Sequence, residues 1–200
     1  MRVSRIQAAE NRQTVVDAAS RLFREHGFDG IGLKGLMKGA GLTQGAFYKQ
    51  FASKDDLAAQ ASRRALESAF GRWSAAAEAN PKDPLGAVIA FYLSMAHREE
   101  RGDGCPVVAL GSDAARQGVD VKASFEAGIR KYLEMLGGWI GEPDGEDSSG
   151  KAMAILSTMV GALVLSRAVN NKLLSKRFLQ AAAKDVLARS SASEAATRTD

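Results

Sequence analysis

Residues 33–57 read LKGLMKGAGLTQGAFYKQFASKDDL, and this stretch decides the fold. Apolar residues recur at helical spacing on both sides of Gly41, which predicts two short helices over 33–40 and 44–50. Gly41 permits a sharp turn, apolar side chains pack the two helices crosswise, and polar side chains of the second helix stay outside. The pattern is typical of a helix-turn-helix, whose second helix, about 10 Å long, fits the ~12 Å wide major groove of DNA.

Helical spacing continues on both sides of this segment, so the sequence predicts an all-α protein of about nine helices. Ser53 and Asp56 resemble a capping box that opens a long helix over 54–79. The stretch 141–150 is acidic and rich in helix breakers, which predicts a mobile loop, and 190–200 is small and polar, which predicts a disordered tail. The other predicted helices cover 7–26, 84–98, 105–117, 121–140, 150–169 and 174–189.

The composition of the 200 residues excludes several classes of protein. Cys105 is the only cysteine, so an intrachain disulfide and a thiolate metal centre are excluded, and no metal or cofactor is expected. The two histidines are isolated, and the sequence holds neither a Ser/His/Asp set nor a phosphate-cradling glycine loop, so we expect no enzyme. The apolar run 152–165 is shorter than the ~20 residues that span a bilayer, and no signal peptide is visible. We therefore expect a cytoplasmic protein without a membrane partner.

The charge is distributed unevenly along the chain. The net charge is +4, and residues 1–64 carry 11 Lys and Arg against 6 Asp and Glu, which gives +5. The remaining residues carry 16 against 17, which gives −1. A basic N-terminal segment on a neutral body favours a polyanion as partner, although a solvated basic face would give the same count.

The stretch from Gly27-Phe28 through Ala40-Gly41-Leu42-Thr43 and on to Phe47-Tyr48 and Ser53-Lys54-Asp55 resembles the DNA-binding head of the TetR/AcrR family of bacterial transcriptional regulators. The resemblance implies a helix-turn-helix domain over 1–53, a helical body over 54–189 that binds a small molecule and forms a homodimer, and the tail 190–200. It also implies a double-stranded DNA operator as partner.

The resemblance implies DNA contacts at defined positions. Thr43, Gln44 and Gly45 would open the recognition helix and reach base edges and phosphates. The phenol of Tyr48 would meet a phosphate while its ring packs on the head, and Lys54 would meet a phosphate at the start of the long helix. The full set of predicted DNA-binding residues is Lys34, Thr43, Gln44, Gly45, Tyr48, Lys49, Gln50 and Lys54.

The second helix departs from the usual pattern of the family. Ile31 and Gly32 stand where hydroxyl residues are general, and Gly35 and Met37 replace a common Asp and Ala pair. We therefore expect this helix to lack a side-chain cap, and glycines inside it cost up to ~1 kcal/mol each relative to alanine.

The body offers candidates for the dimer and for an effector site. The helix over 150–169 is apolar on nearly all sides, which favours burial against a partner chain, although a central core helix would look the same. Cys105, before Pro106, is a possible thiol sensor at a helix N-terminus, while packing is the simpler interpretation. Candidate ligand-binding residues are the aromatic and methionine side chains Trp73, Phe91, Met95, Tyr132, Met135, Trp139 and Met159.

The sequence thus favours a ligand-responsive regulator that is released from a palindromic operator by a small apolar or reactive molecule. The alternative is a helical carrier or a protein-interaction module without DNA binding. Salt-dependent binding to duplex DNA separates the two, because a carrier has no reason to neutralise phosphates.

Overall fold

The computed structural model describes the backbone of residues 5–140 and 146–196 and the side chains of residues 5–140 and 150–190. Every regular element in these ranges is a helix, which confirms the all-α class. The helices are α1 (Arg5–His26), α2 (Leu33–Gly39), a 3-10 helix (Gln44–Lys49), α3 (Lys54–Ala79), α4 (Pro84–Tyr92), α5 (Met95–Glu99), α6 (Pro106–Ala114), α7 (Val119–Ile140), α8 (Glu146–Ala168) and α9 (Lys172–Ala196).

The chain forms two compact units, and neither is continuous in sequence. The first contains residues 1–69 and 101–128, and the second contains 70–100 and 129–200. Helices α3 and α7 therefore each contribute residues to both units. The predicted functional division after Ser53 remains a prediction, because compactness groups the chain by packing rather than by role.

The first unit has an aromatic core around which α1, α2 and the 3-10 helix pack. Phe23 on α1 meets Phe28 at a ring-centroid distance of 5.2 Å, and Phe47 of the 3-10 helix stacks on Phe51 at 5.5 Å. Leu36 of α2 is fully buried in the same cluster. Burying such side chains stabilises a fold by about 1.5–3 kcal/mol each, so this core fixes the short helices that would not persist alone.

Helix starts follow the predicted capping chemistry. The Ser53 hydroxyl accepts the Asp56 N–H at 3.0 Å, as the capping box predicts, but Asp56 Oδ2 accepts the N–H of Ala52 instead of that of Ser53. Pro106 lies in the first turn of α6, with Cys105 as its N-cap. Gly32 at the start of α2 makes no side-chain cap, which confirms the expectation for this helix.

Three predicted boundaries differ most from the structure. The predicted helix 84–98 is interrupted because the Ser94 side chain accepts the His97 N–H and begins α5 separately. Helix α8 begins at Glu146, within the predicted loop 141–150, and residues 141–145 of that loop lie outside the described ones. Helix α9 continues to Ala196, because its end contains alanine and serine without a breaker, so the predicted tail starts too early and its residues 197–200 lie outside the described part.

In the second unit, the C-terminal ends of α5 and α8 contact each other, and an arginine of each helix donates to a backbone carbonyl of the other. Arg98 on α5 donates through Nε to the carbonyl of Ser166 at 3.0 Å, and Arg167 on α8 donates through Nε to the carbonyl of Arg98 at 2.9 Å. Arg167 also donates to the carbonyl of His97 at 3.0 Å. Cations at helix C-termini satisfy the last carbonyls and oppose the negative end of the helix dipole, so each helix caps the other.

One segment of α8 has the length and composition of a membrane-crossing helix. Residues 150–168 meet that test, whereas the predicted apolar run 152–165 had been too short for it. Core helices of globular proteins pass the same test, so length and composition alone carry little weight here.

Candidate nucleic-acid interface

The turn between α2 and the 3-10 helix is built as the sequence predicts. Gly41 has a φ of +70°, in the left-handed region that glycine adopts without strain. The N–H of Leu42 donates to the carbonyl of Met37 at 2.9 Å, and the N–H of Gly41 donates to that of Lys38 at 3.0 Å. These two bonds form a Schellman motif, which ends α2 and turns the chain sharply into the next helix.

The second helix of the motif is a 3-10 helix, whereas the sequence predicted an ordinary helix. Its N-cap, Thr43, makes no side-chain cap bond, so the hydroxyl is free to face outward. Gly45 has open space where a Cβ would lie, so the backbone here can be approached closely. The exposed residues of α2 and of this helix with its N-cap include Lys34, Lys38, Thr43, Gln44, Gly45, Tyr48 and Lys49.

Tyr48 is the largest side chain of this surface. Its ring meets Phe47 edge to face at a centroid distance of 5.3 Å, yet 69% of the residue remains exposed. The phenol can therefore reach a partner from a ring that is held on one side only. An exposed aromatic with a hydroxyl tip suits a phosphate contact.

Two predicted DNA-binding residues are less accessible than the others. The Lys54 ammonium donates to the carbonyl of Phe28 at 2.5 Å and is half-buried, so it closes the loop after α1. Gln50 is also half-buried, and its Oε1 accepts no hydrogen bond from the described residues. DNA contacts by Lys54 and Gln50 stay predictions.

The family model described as "Bacterial regulatory proteins, tetR family" matches residues 15–61, which hold the whole helix-turn-helix. The regulator AcrR of Shigella flexneri is 34% identical over 104 residues, which cover 50% of this chain and 48% of AcrR. Residues 15–61 therefore form a TetR-family domain. LmrA of Bacillus subtilis is 23% identical over 168 residues, covering 81% of this chain and 89% of LmrA.

The sequence match to the curated relatives is partial, because it spans about half of AcrR and 65% of the repressor NemR of Escherichia coli. Solved TetR-family structures extend the likeness of fold. A regulator from Cytophaga hutchinsonii has a TM-score of 0.77 at 18% identity, covering 94% of this chain and 98% of its own. The reduced form of NemR has a TM-score of 0.73 at 20% identity, covering 88% and 95%.

The second unit collects part of the predicted ligand-binding set. Trp73 is buried and meets Tyr132 at 4.5 Å, Tyr92 at 5.6 Å and Trp139 at 6.1 Å between ring centroids. Trp139 is only partly buried. The structure thus brings Trp73, Tyr132 and Trp139 together. Among the others, Met159 is fully buried, and Phe91, Met95 and Met135 are half-buried and make no ring contact with Trp73 among the described contacts.

His97 is buried beside this cluster. Its ring stacks on Phe91 at 5.3 Å, and Nδ1 lies 2.7 Å from the carbonyl oxygen of Tyr92. Burial lowers the pKa of His97 below its ordinary value of 6.5, the bond to Tyr92 opposes that shift, and the charges of Arg167 and Arg72 add to it. The folded protein therefore favours neutral His97.

We expect acid to destabilise the fold through His97. The unfolded chain takes up this proton at the ordinary pKa and the folded chain only at lower pH, so the contribution is complete above about pH 6.5 and is lost below it. The melting temperature of the His97→Gln variant should fall less than that of the wild type between about pH 7.5 and pH 5.5. His26→Gln, at an exposed histidine, serves as control, and its melting temperature should change with pH as that of the wild type does. An unchanged slope in His97→Gln would contradict the assignment.

Cys105 lies in a tightly held part of the first unit. The residue is 3% exposed, and the carbonyl before it, that of Gly104, accepts Nη1 of the buried Arg24 at 2.9 Å. A reagent reaches this thiol only when the loop before α6 opens. Among the residues that the structure describes, no group of three or more His, Cys, Asp or Glu could hold a metal ion.

Proposed function

We propose that this protein is a homodimeric transcriptional regulator of the bacterial cytoplasm that binds a palindromic operator and is released from it by a small molecule. The exposed set on the 3-10 helix carries the proposal. A helix-turn-helix buries the apolar side of its second helix and presents the polar side to the major groove. Thr43, Gln44 and Tyr48 occupy that outer side here, and the segment around them holds the excess positive charge.

Each exposed group has a role that its chemistry supports. The Gln44 amide suits an adenine edge, to which glutamine bonds through N6 and N7, and the Thr43 methyl and hydroxyl suit a thymine methyl or a phosphate. Lys34, Lys38 and Lys49 supply point charges for phosphates. The Tyr48 phenol completes the contacts to the backbone of the DNA.

A symmetric operator requires two heads at a fixed spacing of ~34–36 Å, so a dimer is part of the proposal. Helix α8 presents a stripe at helical spacing along about 18 Å of its length, exposed except at the half-buried Gly161. A second apolar set at the start of α9 is exposed as well. Small residues in the stripe let a partner helix approach closely, which favours a four-helix bundle of α8 and α9 with their symmetry mates. The residues are Met153, Ser157, Gly161, Val164, Leu165, Leu173 and Leu174.

The proposed effector is an apolar or aromatic molecule. Tryptophan, tyrosine and methionine side chains line adaptable sites for such compounds. In the second unit, Tyr92, Tyr132 and Trp139 surround Trp73. Helix α3 contributes residues to both units, and in this proposal the ligand acts on the DNA-binding segment by tilting that helix. Release follows when the ligand prefers the DNA-incompetent state by several kcal/mol. The burial of Cys105 favours packing over sensing, and the response of Cys105→Ser to a thiol-reactive compound decides between them.

Selection of binding sites from a random duplex pool tests the function. We expect recovery of a palindrome that contains A·T pairs in each half-site. Gln44→Ala should then cost about 1–3 kcal/mol and relax selection at one position per half-site, and Tyr48→Phe should weaken all duplexes alike. Lys151→Ala, at an exposed residue of α8, is the control and should bind as the wild type does. Folded wild-type protein that recovers no duplex would instead favour a carrier or protein-interaction module.

A further inference from the structure

A chain of polar contacts lies behind the recognition helix and involves none of the predicted DNA-binding residues. Arg12 on α1 donates through Nη2 to Oε1 of Gln60 at 3.0 Å, and Gln60 donates through Nε2 to Oδ1 of Asp56 at 2.6 Å. The other carboxylate oxygen of Asp56 accepts the N–H of Ala52 at 3.1 Å. The chain therefore runs from α1, across α3, to the backbone just after the 3-10 helix.

The same guanidinium reaches this segment by a second route. The Cζ atom of Arg12 lies 4.5 Å from the centroid of the Phe51 ring, in cation–π geometry. Phe51 is 3% exposed and stacks on Phe47, which belongs to the 3-10 helix itself. Arg12 thus contacts the end of the recognition helix through a ring and through a hydrogen-bonded chain.

The recognition helix needs such external support. A six-residue 3-10 helix has poor internal hydrogen-bond geometry and lies far below the length at which a helix persists alone. Its direction relative to α1 and α3 is consequently set by what it packs against. A planar guanidinium can donate at its edge while its face covers a ring, whereas a lysine ammonium cannot do both in this geometry.

We propose that Arg12 is a positioning residue for DNA recognition, which acts through Gln60 and Phe51 to fix the angle of the recognition helix and does not itself meet a phosphate. The inference rests on the proposed function. It predicts that operator affinity needs the planar shape of the arginine side chain and that the positive charge by itself is not sufficient. A phosphate contact would show the reverse dependence.

A second polar pair between the same two helices provides a matched control. Asp17 on α1 and Arg64 on α3 form an ion pair at 2.5 Å between Oδ1 and Nε. The contacts described for Arg64 do not include any residue from 43 to 53. Arg64→Gln therefore removes an α1–α3 contact of similar kind without touching the support of the recognition helix.

The test measures affinity for the selected operator and for a scrambled duplex over a range of salt concentrations. We expect Arg12→Lys to weaken operator binding about tenfold, as the loss of a charge-assisted hydrogen bond and a ring contact implies. Its affinity for scrambled DNA and its salt slope should match those of the wild type. Arg64→Gln should change operator affinity less than about twofold, as exposed ion pairs do.

Two outcomes would overturn the proposal. The first is that Arg12→Lys keeps the wild-type affinity for the operator while Arg12→Met, which removes the charge, lowers the salt slope by about one unit. That result would identify a phosphate contact. Equal losses in Arg12→Lys and Arg64→Gln would identify a general effect on the α1–α3 seam. If Arg12→Lys does not fold, Gln60→Met breaks the same chain and carries the same expectations.

A readout without DNA separates this inference from the proposed function. Backbone amide order parameters of residues 44–52 in the free protein should fall in Arg12→Lys and keep their wild-type values in Arg64→Gln. Unchanged order parameters in both variants would overturn the positioning role even if DNA binding is established. If the wild-type protein binds no duplex and the order parameters still fall in Arg12→Lys, the positioning of the helix is retained and the DNA-binding function is rejected.

Discussion

Replacement of Leu165 and Leu173 by aspartate is expected to convert the proposed dimer into a monomer and to lower its affinity for a palindromic operator by at least about 100-fold. Leu165 is 49% exposed on α8 and Leu173 is 68% exposed on α9. Neither side chain has enough cover within its own chain to account for its size. Both lie in the apolar set that we assign to the partner.

The expected size of this effect follows from two contributions. Burying a leucine contributes about 1.5–3 kcal/mol, and a carboxylate in the same place must be desolvated without a partner. Each protomer therefore loses its interface at two positions. A monomer then binds only one half-site, and the loss of the second, tethered head removes a factor of about 10²–10⁴ in affinity.

Sedimentation velocity and operator titration measure the two parts of this result. Val119→Asp is the control, because Val119 is 79% exposed at the start of α7, outside α8 and α9. It introduces one aspartate per protomer, against two in the double variant, and should leave both the mass and the affinity unchanged. A double variant that remains dimeric would place the interface elsewhere on the molecule.

Gly30→Ala, in the loop between α1 and α2, is expected to destabilise the fold strongly. A Cβ built on Gly30 would overlap the backbone carbonyl oxygen of His26, which cannot move without changing the end of α1. The cost of displacing backbone is about 2–4 kcal/mol, which lowers the melting temperature of a chain this long by roughly 4–16 °C. Phe28 and the α1–α2 packing would be displaced with it.

The matched control is the same substitution at a glycine with free space. Gly71 lies in the interior of α3, and nothing occupies the position of its missing Cβ. Gly71→Ala should stabilise the protein by about 0.5–1 kcal/mol, since alanine has the higher helix propensity. Thermal unfolding of the two variants should therefore shift in opposite directions. A melting temperature of Gly30→Ala within about 2 °C of the wild type would contradict the predicted overlap.

Local signals in the sequence predicted the motif well, because each depends on neighbouring residues only. Gly41 marks a left-handed turn, Ser53 and Asp56 mark a helix start, and Pro106 marks another. Backbone strain and capping act over three or four residues, so a single sequence shows them. The all-α class follows from the same short-range periodicity.

Other features arise from tertiary contacts that a single sequence does not display. Arg12 and Gln60 are 48 positions apart, so no local sequence pattern predicts their hydrogen bond. The hydrogen bond from Lys54 to the carbonyl of Phe28 joins residues 26 positions apart and is likewise not visible in the sequence. The sequence does not predict the 3-10 form of the recognition helix either, since the same spacing of apolar residues suits a 3-10 helix and an α-helix.

The candidate effector residues show where composition stops being informative. Large aromatic and methionine side chains serve both as core and as pocket lining, so their presence in the body did not separate the two. Trp73 and Tyr132 are buried against each other, whereas Trp139 and Met135 keep part of their surface open. The partly open members are the ones to substitute when an effector is sought.

The arginine exchange between α5 and α8 has a kinetic consequence. Helix α5 has only five residues, far fewer than the ~12–15 that make an isolated helix even marginal in water. Its amide protons are therefore protected against solvent exchange only while the C-terminal end of α8 stays folded. The two segments should open as one cooperative unit, and the opening rate of α5 would report on events at the end of a helix about 70 residues away in the chain.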